Sequence, residues 1–267
     1  MRPTDFRKYC IINLKVIYLL IKLETNVFFK TRATLVAQML SPLIYFIFIV
    51  TALSRTVGNI NFLGIEVGYK EYALLGLISM SIIGQMSRLI YRMTVDRRYG
   101  FFALKMQNGL HPLAYILVVS TSSILGYLIQ SAVFGILVLI FNLKLALLNF
   151  ILVIFIGLIS MIFWLSVGTL LTIGINSYQT RDLLLTFLIM PLSFSAPSFY
   201  VLVDAPFFIQ ILATINPLTY QLQAMREVAF SIYNWQSLGL MCSFSLISLY
   251  LAVHFISKAD LTSKELT

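Results

Sequence analysis

Few side chains in this chain could carry out chemistry, and their positions do not favour it. The 267 residues include 19 basic and 10 acidic side chains, nearly all of them between or outside six long apolar runs. The two histidines, His111 and His254, lie near the ends of such runs, and no carboxylate accompanies them at depth. A serine protease or metalloprotease of the membrane would need such partners for acid–base chemistry or metal binding. The sequence therefore predicts no catalytic residues and no metal site.

The two cysteines do not indicate a structural site. Cys10 precedes the first apolar run and Cys242 lies within the last, so we expect neither a structural disulfide nor a cysteine metal site.

A gradient-driven transporter normally couples to its ion through a buried charged residue, and the apolar runs contain almost none. We therefore expect a partner protein to supply the energy. A secondary transporter with sodium sites built from carbonyl groups remains an alternative, as does an assembly subunit that transports nothing.

The apolar runs identify the class of protein. Hydrophobic residues make up 60% of the chain and charged residues 11%, far from the composition of a soluble domain. A membrane-crossing helix needs about 20 apolar residues, and continuous rather than alternating runs argue against a β-barrel. We predict an all-α integral membrane protein forming one transmembrane domain over residues 1–267. Its six transmembrane helices are predicted at about residues 33–53, 72–91, 112–141, 146–174, 183–203 and 235–256.

The charge distribution predicts the orientation of the chain. The net charge is +9, but the basic residues border apolar spans and form no separate basic face, so we predict no nucleic-acid partner. Six spans place both termini on one side, and the segments on that side hold 15 of the 19 basic residues. The positive-inside rule then places both termini in the cytoplasm. We accordingly expect a protein of the cell membrane that contacts membrane lipids. Arg88, near the end of the second span, is expected to snorkel to the interface.

Residues 5–24 precede the first span and are predicted to form an interfacial amphipathic helix. Lys8, Lys15 and Lys22 recur every seven residues and so lie along one stripe of a helix, with apolar residues on the other sides. A seventh span is the alternative, but its apolar stretch would be short and would carry a lysine near its middle. We predict no signal peptide here.

Residues 204–230 form an ambiguous segment between the fifth and sixth spans. No charge occurs from Ala205 to Met225, yet Pro206 and the pair Asn216-Pro217 interrupt the helix pattern. We predict two short re-entrant helices that enter the outer leaflet and return, which requires a covering of protein or water. A gate or substrate exit and a simple extracellular cap both fit this segment.

A third segment, residues 94–110, lies on the predicted cytoplasmic side. Its sequence predicts a short helix with aromatic side chains, ended by Gly109, before Pro112 begins the next span. A groove on another protein would accept such a helix, and so would the membrane surface. The residues alone leave both possibilities open.

Two local patterns and the order of the spans resemble the membrane subunit of type-2 ATP-binding-cassette exporters. In that family a charged residue, Arg and Gly precede an apolar helix, and a Pro then opens the third span. The corresponding residues here are Asp96, Arg97, Arg98, Gly100, Leu104 and Pro112. A second family pattern, between the last two spans, matches Asn216, Pro217, Leu218, Thr219, Tyr220 and Arg226. The chain departs from the family where Asp96 replaces the usual Glu and where Tyr99 and the pair Phe101-Phe102 are bulkier than the common Gly-Thr.

The resemblance implies a function and a set of site residues. The chain would be the permease subunit of an exporter for a drug-like molecule, lipid or glycoconjugate, paired with a second copy as a homodimer. Each copy would dock a cytoplasmic ATPase that carries ATP and Mg, in keeping with the lack of a Walker-type sequence and of any cofactor site here. The implied ATPase-coupling residues are Asp96, Arg97, Arg98, Tyr99, Gly100, Phe101 and Leu104. The implied outer gate is the second pattern given above.

Relatives line their pathway largely with the first and fifth spans. The residues that this implies as pathway-lining are Gln38, Tyr45, Phe46, Ser193, Phe194, Ser195 and Tyr200. Aromatic side chains in spans more commonly serve helix packing or an interfacial belt.

Overall fold

A computed structural model describes residues 14–175, 177–232 and 234–259, apart from the side chain of Thr34. The helices in chain order are α1 (Leu14–Lys30), α2 (Arg32–Ile44), a π-helical turn (Tyr45–Val50), α3 (Thr51–Val57), α4 (Tyr69–Arg98), α5 (Phe101–Gln107), α6 (Pro112–Ile140), α7 (Leu147–Gly174), α8 (Tyr178–Ser195), a 3-10 turn (Leu202–Asp204), α9 (Phe207–Ile215), α10 (Pro217–Ala229) and α11 (Trp235–Lys258). The strands β1 (Asn59–Phe62) and β2 (Ile65–Gly68) separate α3 from α4.

Five helical stretches of the described chain are long and apolar enough to cross a membrane. They are Leu35–Val57, Tyr69–Arg98, Pro112–Ile140, Leu147–Gly174 and Trp235–Lys258. This result agrees with the predicted class of integral membrane protein, and the five coincide with the first four and the last of the predicted spans. The first helix runs past residue 53, through a π-helical turn that follows Pro42, and the second is longer at both ends than 72–91.

The predicted fifth span differs most from the structure. α8 begins at Tyr178, where the Ser177 side chain accepts a hydrogen bond from Thr180 N at 3.1 Å. It ends at Ser195, so the prediction of helix over residues 196–201 is wrong, and residues 202–204 form a separate 3-10 turn. The cause is Pro197, which disfavours a helical conformation in the preceding residue, and Ala196 is indeed extended with ψ 142°. α8 has 18 residues and a length of about 27 Å, and it is not among the five apolar helices.

The β-hairpin of β1 and β2 corrects the all-α prediction for residues 59–68. The strands pair antiparallel from Asn59 opposite Gly68 to Phe62 opposite Ile65. Leu63 and Gly64 form the turn with φ angles of 51° and 86°, as a tight hairpin of this twist requires. The two strands are too short to be recognised among long apolar runs.

The N-terminal helix also differs from its prediction. Residues 5–13 lie outside the described residues. The described helix, α1, extends to Lys30 rather than ending at 24, and it packs against α6. The buried side chains of Glu24 and Phe28 mark the face that contacts the rest of the protein.

Local capping residues explain where several helices begin. Pro112 occupies the first turn of α6, and the His111 ring accepts a hydrogen bond from Leu113 N at 3.2 Å. Asn216 caps α10 in the same way, with Pro217 in the first turn. These two starts follow from residues adjacent in the sequence, and both were predicted.

α4 is the centre of the fold. It packs against α6, α7, α8 and α10, while α11 lies against α7 and α2 lies against α6. The irregular segment after α8 approaches α4 closely at Gly76, where an added Cβ would lie 2.2 Å from the Ser198 carbonyl oxygen. A glycine at this position therefore allows the segment to rest on the central helix.

Candidate functional site

A buried network of ion pairs joins four helices near the C-terminal end of α4. Asp96, whose side chain is fully buried, accepts from Lys105 Nζ of α5 at 2.5 Å and from the Tyr115 hydroxyl of α6 at 3.3 Å. Arg92 lies 3.0 Å from Asp96 Oδ1 and donates two hydrogen bonds to Glu24 of α1, at 2.6 and 3.2 Å. Each buried charge thus faces opposite charge, which offsets part of its desolvation cost. The network fixes α5 and α1 to the central helix.

α5 has one buried face and one exposed face. Phe102 and Met106 point inward, each 3% exposed, and the Phe102 ring packs edge-on against the Tyr115 ring at 5.1 Å. Phe101 and Leu104 lie on the opposite face, 47% and 55% exposed. The network and the buried face together hold the exposed apolar side chains in a fixed orientation.

The residues between α4 and α5 connect this end of the molecule to α7 and α8. Gly100 has φ +72°, a left-handed conformation that favours glycine and permits the sharp turn into α5. Arg97 Nη1 donates to the Thr172 carbonyl oxygen at 2.8 Å, near the end of α7. The Arg98 guanidinium lies 4.2 Å from the centre of the Tyr178 ring at the start of α8.

The seven predicted coupling residues therefore have two kinds of environment. Asp96 is buried and braces α5 from beneath, so it does not lie on the surface. Tyr99, Phe101 and Leu104 present exposed apolar surface, with Tyr99 60% exposed. Lys105 and Glu24, which complete the network, were not predicted. Their spacing along the chain gives no local signal of the contact.

A second cluster, which we call the outer latch, fastens α10 to α4 and to the segment after α8. Arg226 is 2% exposed and donates from Nη2 to the carbonyl oxygens of Ser198 at 3.1 Å and Tyr72 at 3.3 Å. Its guanidinium also lies 3.4 Å from the centre of the Tyr72 ring. Burial lowers the pKa of Arg226 to about 10, so the side chain stays protonated at neutral pH. Arg226, Tyr72 and Ser198 define the outer latch.

Asn216 ties the start of α10 to the end of α8. Its Nδ2 donates to the Leu192 carbonyl oxygen at 2.6 Å and to Ser195 Oγ at 2.9 Å, while its Oδ1 accepts from Leu218 N at 2.9 Å. Leu218 and Thr219 are buried, whereas Tyr220 is 44% exposed. The predicted outer motif is thus brought together in space, because Asn216 bonds the end of α8 and Arg226 bonds the segment that follows it.

A cavity of about 250 Å³ lies between α2, α4, α6 and α8. Its walls are formed by Gln38, Ser41, Pro42, Tyr45, Leu77, Met80, Ser81, Gly84, Gln85, Gln130, Phe134, Ile189 and Ser193. Three of the predicted pathway residues, Gln38, Tyr45 and Ser193, are among them. The cavity therefore lies between the two spans that were predicted to line a pathway.

The other four predicted pathway residues lie elsewhere. Phe46 is fully buried and packs against the Phe141 ring at 5.0 Å. Phe194 is 59% exposed on α8. Tyr200 donates to the Ser195 carbonyl oxygen at 2.8 Å, and Ser195 contacts Asn216 as described above.

Three glutamines form a polar cluster in the cavity wall. Gln85 Nε2 donates to Gln130 Oε1 at 2.9 Å and lies 3.0 Å from the side-chain amide of Gln38. Gly126 makes room for the cluster, since a Cβ at this residue would lie 2.6 Å from Gln85 Oε1. Gln85 and Gln130 were not predicted as site residues. Their amides within apolar helices were the available signal, because polar side chains in such helices commonly bond across helices.

The comparison with known families decides what kind of protein carries these features. The profile of the ABC-2 type transporter family matches residues 15–230, which include the ion-pair network, the outer latch and the cavity. The chain belongs to the ABC-2 type transporter family. No curated protein sequence matches it. It is accordingly an ABC permease subunit, the membrane component that works with a partner ABC ATPase, and this confirms the resemblance noted in the sequence.

Proposed function

We propose that the permease exports an amphipathic or lipid-linked substrate from the cytoplasmic side of the cell membrane. Two copies would pair, and each would bind one cytoplasmic ATPase that carries ATP and Mg. The observation that carries the proposal is the exposed apolar face of α5, where Phe101 and Leu104 stand on a buried ion-pair network. A rigid, outward-facing apolar helix is suited to a groove on a partner protein.

The contacts of α5 suggest how ATPase movement would reach the membrane. A force on α5 passes through Lys105 to Asp96 on the central helix α4, and through Arg92 to Glu24 on α1. The neighbouring Arg97 adds a contact to the end of α7. Since α4 also lines the cavity, closure of the two ATPases would change the cavity walls directly.

The segment of α9 and α10 is the proposed exit gate. The outer latch holds this segment through hydrogen bonds to backbone carbonyl groups and through the contact of Arg226 with the Tyr72 ring. The latch can therefore open without breaking an ion pair. The simple-cap alternative predicts that these contacts persist throughout transport. The charge bias of the sequence supports a location of this segment outside and of α5 inside, with both termini cytoplasmic.

Co-purification with the ATPase tests the docking role. We expect Phe101→Ala with Leu104→Ala to release most of the bound ATPase, because both changes remove exposed apolar surface from α5. The matched control is Phe207→Ala with Leu212→Ala, the same residue types at exposed positions on α9. This control should leave ATPase recovery unchanged. Equal ATPase recovery with the unsubstituted permease and both double variants would refute docking through α5.

Reconstitution tests the energy source. Liposomes that contain the permease alone should accumulate no substrate against a gradient, and addition of the ATPase with ATP should start accumulation. Uphill movement driven by a sodium gradient without the ATPase would favour the secondary-transporter alternative instead.

A further inference from the structure

Arg88 is a cation held among neutral groups beside the cavity. None of the four ion pairs found in the described part of the chain includes it. With the Gln38 amide turned so that its oxygen faces the guanidinium, Oε1 accepts from Arg88 Nε at 3.1 Å and from a terminal nitrogen. On the other side the guanidinium lies 5.4 Å from the centre of the Phe28 ring. The side chain therefore points into the helix bundle. The sequence had predicted instead that Arg88 would extend to the membrane interface.

The position of Arg88 on α4 places it at the end of the cavity. Ser81, Gly84 and Gln85 of the same helix line the cavity wall. Arg88 follows Gly84 by four residues and Gln85 by three, so all lie on one face of the helix. Gln38, which also lines the cavity, bonds the guanidinium directly. Arg88 is thus one helical turn beyond the described cavity wall.

The surroundings of Arg88 leave a positive charge to be balanced. Arg92, one turn further along α4, is balanced by Glu24 and Asp96. Arg88 has amide and aromatic neighbours, which orient a cation but do not neutralise it. A partly buried charge without a counter-charge is unfavourable, and an anion in the cavity would remove that cost. The terminal nitrogens of an arginine suit the oxygens of phosphate and carboxylate groups.

The cavity wall adds hydrogen-bonding groups and limits the size of the ligand. Gln38, Gln130 and Ser193 line the cavity, and their amide and hydroxyl groups can form hydrogen bonds with a polar head group. The volume of about 250 Å³ is below the range of roughly 300–1,000 Å³ typical of pockets that enclose a drug-sized molecule. The space suits a head group whose apolar tail remains in the membrane.

We infer that this cavity binds the anionic head group of the transported amphiphile, with Arg88 as the charge-recognising residue. The inference rests on the proposed function, since it assigns the substrate class to the same pathway. The head group is a phosphate or a carboxylate, and the glutamine cluster supplies its neutral hydrogen bonds.

Binding to the purified full-length permease in detergent tests the inference. The probes are three fluorescent amphiphiles with one identical alkyl chain and a phosphate, a glucoside or a trimethylammonium head, measured by fluorescence anisotropy. The phosphate probe should bind at least about tenfold more tightly than the other two, the order expected for a charged hydrogen bond. Arg88→Gln should remove this preference, and Arg88→Lys should retain part of it. Arg55→Gln, a change of an exposed cation on α3, should leave the preference intact.

Two further arms establish where and what the site binds. Ser193→Trp should fill the cavity and abolish binding of the phosphate probe. Inorganic phosphate at millimolar concentration should not displace the probe, because the alkyl chain contributes to the affinity. Displacement would assign the site to a soluble anion and overturn the inference.

Equal affinity for the three head groups would also overturn the inference. A preference for the phosphate probe that survives Arg88→Gln, or binding of this probe that survives Ser193→Trp, would overturn it as well. Size-exclusion chromatography of each variant shows that it is folded. These measurements use neither ATPase nor ATP. A negative result therefore leaves ATP-driven export standing, while failure of the co-purification test would not affect the binding result.

Discussion

At the scale of single residues, Asp96 shows how position changes the meaning of a motif. The sequence pattern placed this carboxylate in a loop that contacts a partner, but the structure buries it between Arg92, Lys105 and Tyr115. A buried carboxylate is stable here because two cations and a hydroxyl group surround it. Its contribution to coupling is therefore to hold α5, while neighbouring apolar residues supply the surface.

Asp96→Asn should destabilise the permease measurably. The amide keeps the shape of the side chain but leaves Lys105, 15% exposed, without its counter-charge. Loss of one partner from a buried ion pair costs about 3 kcal/mol, which should appear as a lower unfolding midpoint in detergent. The matched control is Asp182→Asn, since Asp182 is 63% exposed in its pair with Arg181 and should cost less than about 1 kcal/mol. Equal midpoints for the two variants would contradict the bracing role of Asp96.

At the scale of elements, α5 combines a structural face and a binding face within seven residues. Phe102 and Met106 fill the contact with α6, and Phe101 and Leu104 face outward. The sequence predicted this helix and its aromatic residues, but four apolar side chains in so short a run do not reveal which face is buried. Packing against Tyr115 decided it.

The two neighbouring phenylalanines of α5 should therefore respond differently to truncation. Phe102→Ala leaves a cavity against Tyr115 and should lower the free energy of unfolding by about 3–5 kcal/mol. Phe101→Ala removes a half-exposed ring and should change stability by less than about 1 kcal/mol while weakening ATPase binding. Unfolding in detergent and ATPase recovery measure the two effects separately. A large stability loss in Phe101→Ala would show that the assignment of faces is incorrect.

At the scale of the whole molecule, α8 decides the number of membrane crossings. Five helices of the described chain qualify by length and composition, and α8, with Arg181 and Asp182 in its second turn, is not among them. The start of α8 nevertheless lies beside Arg98 at the end of α4, and the segment that follows α8 accepts hydrogen bonds from Tyr69 and Tyr72 at the start of α4. These contacts place the two ends of α8 toward opposite ends of α4. We therefore keep the prediction of six crossings.

Labelling of single cysteines tests that topology. In a background of Cys10→Ser and Cys242→Ser, Val203→Cys should react from outside intact cells with a membrane-impermeant maleimide, because this residue is 84% exposed beyond the end of α8. Gln179→Cys, at an exposed position at the start of α8, should react with the maleimide only after the cells are permeabilised. Reaction of both variants on one side would mean that α8 does not cross the membrane.

Much of the fold follows from the sequence because its determinants are local. Long apolar runs give membrane-crossing helices wherever no water can bond the backbone. Pro112 begins α6, and the pair Asn216-Pro217 divides α9 from α10. The family also follows from the sequence, through short patterns in a fixed order among the spans. Residues 196–201 were mispredicted because the hydrophobic pattern continued past Pro197, which stops the helix.

The tertiary structure decided which polar groups meet. Gln38 and Gln85 are 47 residues apart, and Arg226 and Tyr72 are 154 apart, yet each pair is in contact. Such contacts depend on the rotation of each helix about its axis. In a lipid environment the buried and lipid-facing sides of a helix are similarly apolar, so hydrophobicity along the sequence does not fix that rotation. Side-chain packing across the bundle fixed it, and thereby placed Arg88 beside the cavity and Asp96 beneath α5.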